Sequence, residues 1–219
     1  EHIRQHFPQH QILAEERGEI PGDGIYRWII DPLDGTTNYL HNVRLFAVSI
    51  AVARGDDLVA GVVYDPIQRE IYSAQKGHGA FLNNSPISVS LQGELKNCLL
   101  ATGFPFRSKE RIVPYLESFH RFFESVRDIR RMGVAAIDLA YVAWGRFDGF
   151  WELYLGVWDI AAGVLLVREA GGIASGIQPD ENCLETGNII ASNGKIHHFV
   201  AGELQQIFSA KQNGDQDVG

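Results

Sequence analysis

The stretch from Trp28 to Val89 consists of short apolar runs separated by turn residues, which commits the front of the chain to antiparallel sheet. Phe46 to Ala53 and Leu58 to Tyr64 predict two strands, with Gly55-Asp56-Asp57 between them as a hairpin signal. Glu70 to Ala74 and Ala80 to Leu82 continue the meander, and Asn83-Asn84 turns it toward Ile87 to Val89. The rear of the chain alternates instead. Cys98 to Thr102, Val126 to Ile129, Gly149 to Leu153 and Asn188 to Ala191 predict strands. Lys109 to Ser125, Ala135 to Trp144, Asp159 to Ala170 and Ile196 to Phe208 predict helices. In the first of these the apolar positions are Ile112, Leu116, Phe119 and Phe123, and Gly171-Gly172 stops the third. A β-rich front and an alternating rear predict an α+β fold of mixed α/β layers. The expectation is one domain over 1–219, with a β-rich lobe to about residue 92, an α/β lobe over about 97–210, and a frayed polar tail from Lys211 to Gly219.

Composition narrows the function. The chain has 219 residues, 45% hydrophobic and 21% charged, enough for one large core or two lobes sharing an interface. No apolar run approaches the ~20 residues of a membrane span, and no charged-then-apolar signal opens the sequence. The net charge is -8 and Lys and Arg form no cluster, which argues against nucleic acid or a membrane as the main partner. Cys98 and Cys183 stand far apart without paired spacing; they predict buried thiols in a reducing, cytoplasmic compartment.

The chemistry concentrates in Trp28-Ile29-Ile30-Asp31-Pro32-Leu33-Asp34-Gly35-Thr36-Thr37-Asn38. A buried strand delivers two carboxylates, three residues apart, into a turn punctuated by Pro32 and Gly35. Hard cations take oxygen ligands, so Asp31 and Asp34 can bracket one or two metals and the Leu33 carbonyl can add a ligand. Gly35 allows close approach of a phosphate. A short helix starting at Thr36 would aim the Gly35 and Thr36 amides at its oxygens and leave the Thr36 hydroxyl to orient a water. The same residues equally make an ordinary β-turn. Glu15-Glu16 ends the apolar segment Ile12-Leu13-Ala14, so that one acid faces a metal and the other solvent, or both form a solvated edge. Asp159, in Trp158-Asp159-Ile160-Ala161-Ala162-Gly163, occupies the first turn of an apolar helix, where a capping acid is the plainer reading. The eight histidines scatter; His197-His198 falls in a predicted surface helix, and His41 borders the motif without a metal-type partner.

Together these segments resemble the inositol monophosphatase family across nearly the whole chain. Asp31 to Asn38 matches its Asp-Pro-Ile/Leu-Asp-Gly-Thr-Thr-Asn motif, and Trp158-Asp159-x-Ala-Ala-Gly its second signature. Gly133-Val134-Ala135-Ala136 resembles its Gly-Ser/Thr-Ala-Ala helix start, with Val134 in place of a hydroxyl residue. The resemblance implies an αβαβα layered sandwich shared with fructose-1,6-bisphosphatases, dependence on two or more Mg2+ ions, inhibition by lithium, and a homodimer. It implies Glu15, Asp31, Asp34, Asp159 and the Leu33 carbonyl as metal ligands. Thr36, with Glu15 and Asp34, becomes the catalytic group acting on a metal-activated water, and the Gly35 and Thr36 amides hold phosphate. Asp34, Glu152 and the Gly133, Val134 and Ala135 segment become contacts to the substrate.

Direct attack by water is the mechanism that the resemblance supports over a covalent phosphate on Asp34. Inositol 1-phosphate is the first substrate expected, with histidinol phosphate and fructose-1,6-bisphosphate as alternatives; Arg107 reads first as a surface arginine and only second as a contact to an anionic substrate. Family members carry upstream helices and a metal-holding loop, whereas this sequence begins at Glu1, inside that region. That leaves a fragment and a naturally short chain both open. It carries the expectation of magnesium binding with slow turnover, and the alternative of a catalytically weak binding or regulatory protein.

Overall fold

The computed structural model describes residues 1–105, 109 and 112–212, the last four by backbone only. After a short helix α1 (His2–His6), the front of the chain builds one sheet from eight strands: β1 (Gln11–Ala14), β2 (Gly18–Ile20), β3 (Tyr26–Asp34), β4 (Ala47–Arg54), β5 (Asp57–Asp65), β6 (Glu70–Gln75), β7 (Ala80–Leu82) and β8 (Ser85–Ile87). Their order is β2-β1-β3-β4-β5-β6-β7-β8. Every pairing is antiparallel except β1 with β3. A five-residue helix, α2 (Thr36–Leu40), follows β3 directly.

The rear supplies β9 (Leu99–Thr102), α3 (Ile112–Ser125), β10 (Asp128–Arg130), α4 (Ala135–Ala143), β11 (Gly149–Glu152), α5 (Val157–Glu169), β12 (Ile173–Ser175), α6 (Cys183–Thr186), β13 (Ile189–Ser192) and α7 (His197–Gln212). These form a second sheet of order β10-β9-β11-β13-β12, parallel through β10, β9 and β11 and antiparallel beyond. The layered α+β architecture is as expected. Helices α4 and α5 lie between the sheets, and α3 and α7 cover the far face of the second. The described residues thus make four of the five expected layers. The larger apolar core joins both sheets through α4 and α5, from Ile29, Ala51 and Val63 to Leu139, Leu166 and Ile189.

Several local expectations shift. Helix α3 buries Tyr115 and Phe122, whereas Leu116 and Phe123 of the expected stripe are exposed. Tyr115 and Phe122 turn into the second core instead, where the Phe122 ring meets Trp151 edge-on with centroids 4.7 Å apart and the Tyr115 hydroxyl donates to the Trp151 carbonyl at 3.3 Å. Lys211 belongs to α7, and the rest of the expected tail, from residue 213, lies outside the described residues, as does Arg107. His197 is half-buried. Its two ring nitrogens lie 3.0 Å from Ser175 Oγ and 3.0 Å from Ser192 Oγ, while His198 is exposed. Both cysteines are buried and free. No helix among the described residues is long and apolar enough to cross a membrane.

Candidate active site

The two motif acids lie within β3, which runs on through Pro32 to Asp34 in place of the expected turn. In a regular strand, residues three apart point to opposite faces. Here the ladder to β4 breaks between Asp31 and Asp34, because Pro32 has no N–H to donate, and the irregularity buries both carboxylates. Asp31 Oδ1 accepts from the Leu33 amide at 2.8 Å, so the turn chemistry of Asp-Pro is used as well. Asp34 Oδ2 accepts from the Ala136 amide at 2.7 Å and thereby caps α4.

Glu15 follows β1, and its own amide is held by the Ile30 carbonyl at 3.1 Å, which sets it beside β3. It is half-buried and Glu16 is exposed. Asp159 sits in the first turn of α5, where Oδ2 accepts from the Gly156 amide at 2.7 Å. The capping role and the site role therefore coexist in one carboxylate. One oxygen from each of Glu15, Asp31 and Asp159 falls within 4.8 Å of the others.

Packing these acids together has an electrostatic consequence. Burial, with Glu15 and Asp159 alongside, pushes the Asp31 carboxyl up to about 7. Burial raises Asp34 too, followed by the charge of Asp159. A cluster that resists ionisation when empty, and offers only carboxylate and carbonyl oxygen, suits a hard divalent cation. Such a cation would replace mutual repulsion with attraction.

The site opens into a cavity of about 490 Å3, lined by the acids Glu15, Glu16, Asp31, Asp34, Glu152 and Asp159. Thr36 also lines it, and its hydroxyl donates to the Leu33 carbonyl at 3.0 Å. Gly35 has φ 89°, and a side chain there would meet Val134 Cγ2 at 2.8 Å, so the motif glycine is required twice over. Gly133 and Ala135 line the cavity, whereas Val134 is fully buried behind Gly35. Glu152, at the end of β11, is 7% exposed, and its carboxylate lies so close to Gly103 that any side chain there would collide with it.

Sequence reasoning passed over three features. Asn38 Nδ2 donates to the carbonyls of Leu45 (3.1 Å) and Met132 (3.0 Å), joining α2 to the segment before α4. Asp138, in the first turn of α4, is buried with neither carboxylate oxygen hydrogen-bonded, and burial with Glu152 and Asp34 nearby raises it well above the carboxylate range. Phe104, Pro105, Leu153, Tyr154 and Leu155 give the cavity an apolar part. The Asn38 bond was legible in principle, since the motif ends on an amide; the others depend on long-range packing.

The inositol monophosphatase family model matches residues 1–209. The protein called Nus factor SuhB in Escherichia coli (strain K12) is 48% identical over 208 residues, covering 94% of this chain and 78% of its own. The inositol-1-monophosphatase of Mesorhizobium japonicum is 43% identical over 205 residues, 93% of this chain and 77% of its own. Among solved structures, the extragenic suppressor protein suhB of Bartonella henselae has a TM-score of 0.89 at 44% identity, covering 93% of this chain and 78% of its own. The inositol monophosphatase of Anabaena has a TM-score of 0.87 at 45% identity, covering 93% and 81%.

Proposed function

Because the chain belongs to the inositol monophosphatase family, we propose that it hydrolyses a small polyol phosphate monoester, inositol 1-phosphate foremost, with magnesium as cofactor. The observation that carries this reading is the convergence of Glu15, Asp31 and Asp159 within 4.8 Å, next to Asp34 and the Leu33 carbonyl. Those five groups would hold the magnesium, which when bound supplies a Lewis acid to the phosphoryl oxygens and the attacking water. Lithium inhibition follows from the same oxygen donors.

The remaining work falls to the chain's own groups. The Thr36 hydroxyl, already anchored to the Leu33 carbonyl, orients the attacking water. The Gly35 and Thr36 amides, at the start of α2, donate to phosphate oxygens. Glu152 accepts from a substrate hydroxyl, and the backbone of Gly133 and Ala135 borders the alcohol. A homodimer working in the cytoplasm completes the reading.

Asp34→Asn tests it. The amide oxygen can still accept from Ala136, so α4 stays capped while a charge is lost. Magnesium-dependent phosphate release from inositol 1-phosphate should nearly vanish, with the melting temperature close to that of the parent. Turnover at the parent rate, or turnover that survives chelation, would sink the assignment.

The relative called Nus factor SuhB favours a second reading, a regulatory partner for which catalysis is secondary. Under that reading the parent would release little phosphate from any ester at saturating magnesium.

A further inference from the structure

Among the described residues that line the cavity, Tyr154 is the sole one other than glycine whose φ is positive, at 63°. An aromatic side chain is strained in this left-handed region, and a glycine would not be. A dedicated set of hydrogen bonds holds it there. Asn188 Oδ1 accepts from the Tyr154 amide at 3.2 Å, and the Gly187 carbonyl accepts from the Leu155 amide at 3.0 Å. Asn188 is fixed in turn by its donation to Glu181 at 2.7 Å, and Glu181 also accepts from the Ile177 and Gln178 amides. The segment after β12 therefore holds a strained tyrosine two residues beyond Glu152. Tyr154 is half-buried and packs against the second core, as Phe104 does, and both residues also line the cavity.

Strain retained at a cavity wall calls for a use of the side chain there. We infer, building on the proposed phosphatase function, that Tyr154 is a specificity-determining residue that favours phosphate monoesters of cyclic alcohols over those of open-chain alcohols. A cyclic polyol has hydroxyls at its edge and a face of C–H groups. With the edge on Glu152, the face meets the wall made by Tyr154, Phe104 and Leu155. An open-chain alcohol has no fixed face, and must freeze its rotors to make the same contact.

The test compares kcat/KM for inositol 1-phosphate and glycerol 2-phosphate in magnesium buffer for the parent, Tyr154→Phe, Tyr154→Gly and Tyr154→Asn. Glycine and asparagine both accept the backbone angle, so those variants keep the fold. The cyclic-to-open-chain ratio should fall about three- to tenfold in the Gly and Asn variants, through KM, and stay at the parent value in Tyr154→Phe. An unchanged ratio, or equal losses on both esters, would overturn the inference. A parent that releases no phosphate from either ester refutes the phosphatase reading alone. Calorimetric titration with cyclohexyl phosphonate and propyl phosphonate then decides on Tyr154: Tyr154→Gly should weaken the first selectively, and equal weakening or none overturns it.

Discussion

At the scale of single residues, the same dipeptide serves two ends. Asp65-Pro66 repeats the Asp31-Pro32 pair, and Asp65 Oδ1 accepts from the amides of Ile67 (2.8 Å) and Gln68 (3.0 Å) as an ordinary turn-former. Asp31 makes the equivalent bond to Leu33, and what sets it apart is company: Glu15 and Asp159 arrive from elsewhere in the chain. Glu152 is a comparable case, an acid that local pattern leaves unremarked and that burial at the cavity makes available to a hydroxyl. Glu152→Gln keeps the shape and removes the charge. A charge-assisted hydrogen bond contributes about 1–3 kcal/mol, so kcat/KM on inositol 1-phosphate should fall roughly 5- to 150-fold. An aryl phosphate without that hydroxyl should be affected far less; equal losses on the two would place Glu152 in the fold or the chemistry instead of in recognition.

Among elements, close approach explains residues that the motifs merely record. Gly163, the last residue of the second signature, lies where α5 crosses α4, and a side chain there would meet Leu139 Cβ at 2.5 Å. Gly163→Ala should therefore cost about 1–3 kcal/mol of stability, read as a lower midpoint in denaturant, despite alanine's better helix propensity. A gain in stability would show that the helices can move apart freely. His197 performs a comparable joining role, linking β12, β13 and the start of α7 through Ser175 and Ser192. Burial lowers its pKa, so the folded protein binds fewer protons there than the unfolded chain. The stability it contributes is complete above the ordinary imidazole range, about 6.5, and is lost as pH falls below it. The stability difference between the parent and His197→Gln should consequently shrink between about pH 7.5 and about pH 5. A constant difference would mean that another group titrates.

For the molecule as a whole, the site is a meeting point of both sheets and the helices between them. Glu15 and the motif acids come from the first sheet, Asp159 from the central helix layer, and Glu152 from the second sheet. A cation bound there would tie these layers together and stabilise the entire fold by mass action. The metal-free protein works against this near neutrality. With its carboxyl pushed up to about 7 by burial and by neighbouring acids, Asp31 holds a proton in the folded state that the unfolded chain has released. Its contribution to stability is therefore full below the usual carboxylate range and lost as pH rises through about 7. Magnesium needs the ionised form, so the rise in melting temperature that it produces should grow from about pH 5 to about pH 8. Equal stabilisation by magnesium across that range would argue against Asp31 as a ligand.

The succession of strands and helices, and the motif from Asp31 to Asn38, could be recognised from the sequence because each depends on neighbours along the chain: hydrophobic period, turn residues and short spacings. The second signature at Asp159 was visible for the same reason, as an acid opening an apolar helix. The resemblance of the motifs named the groups of the site, but only tertiary structure brings them to one place. The break at Pro32 that buries both motif acids requires a paired strand to break from. Asp34 caps a helix that begins a hundred residues later, at Ala135. Asp138 and Tyr154 become notable through desolvation and through backbone strain held by distant partners. Burial and convergence are properties of several segments at once, and no single stretch of sequence encodes them.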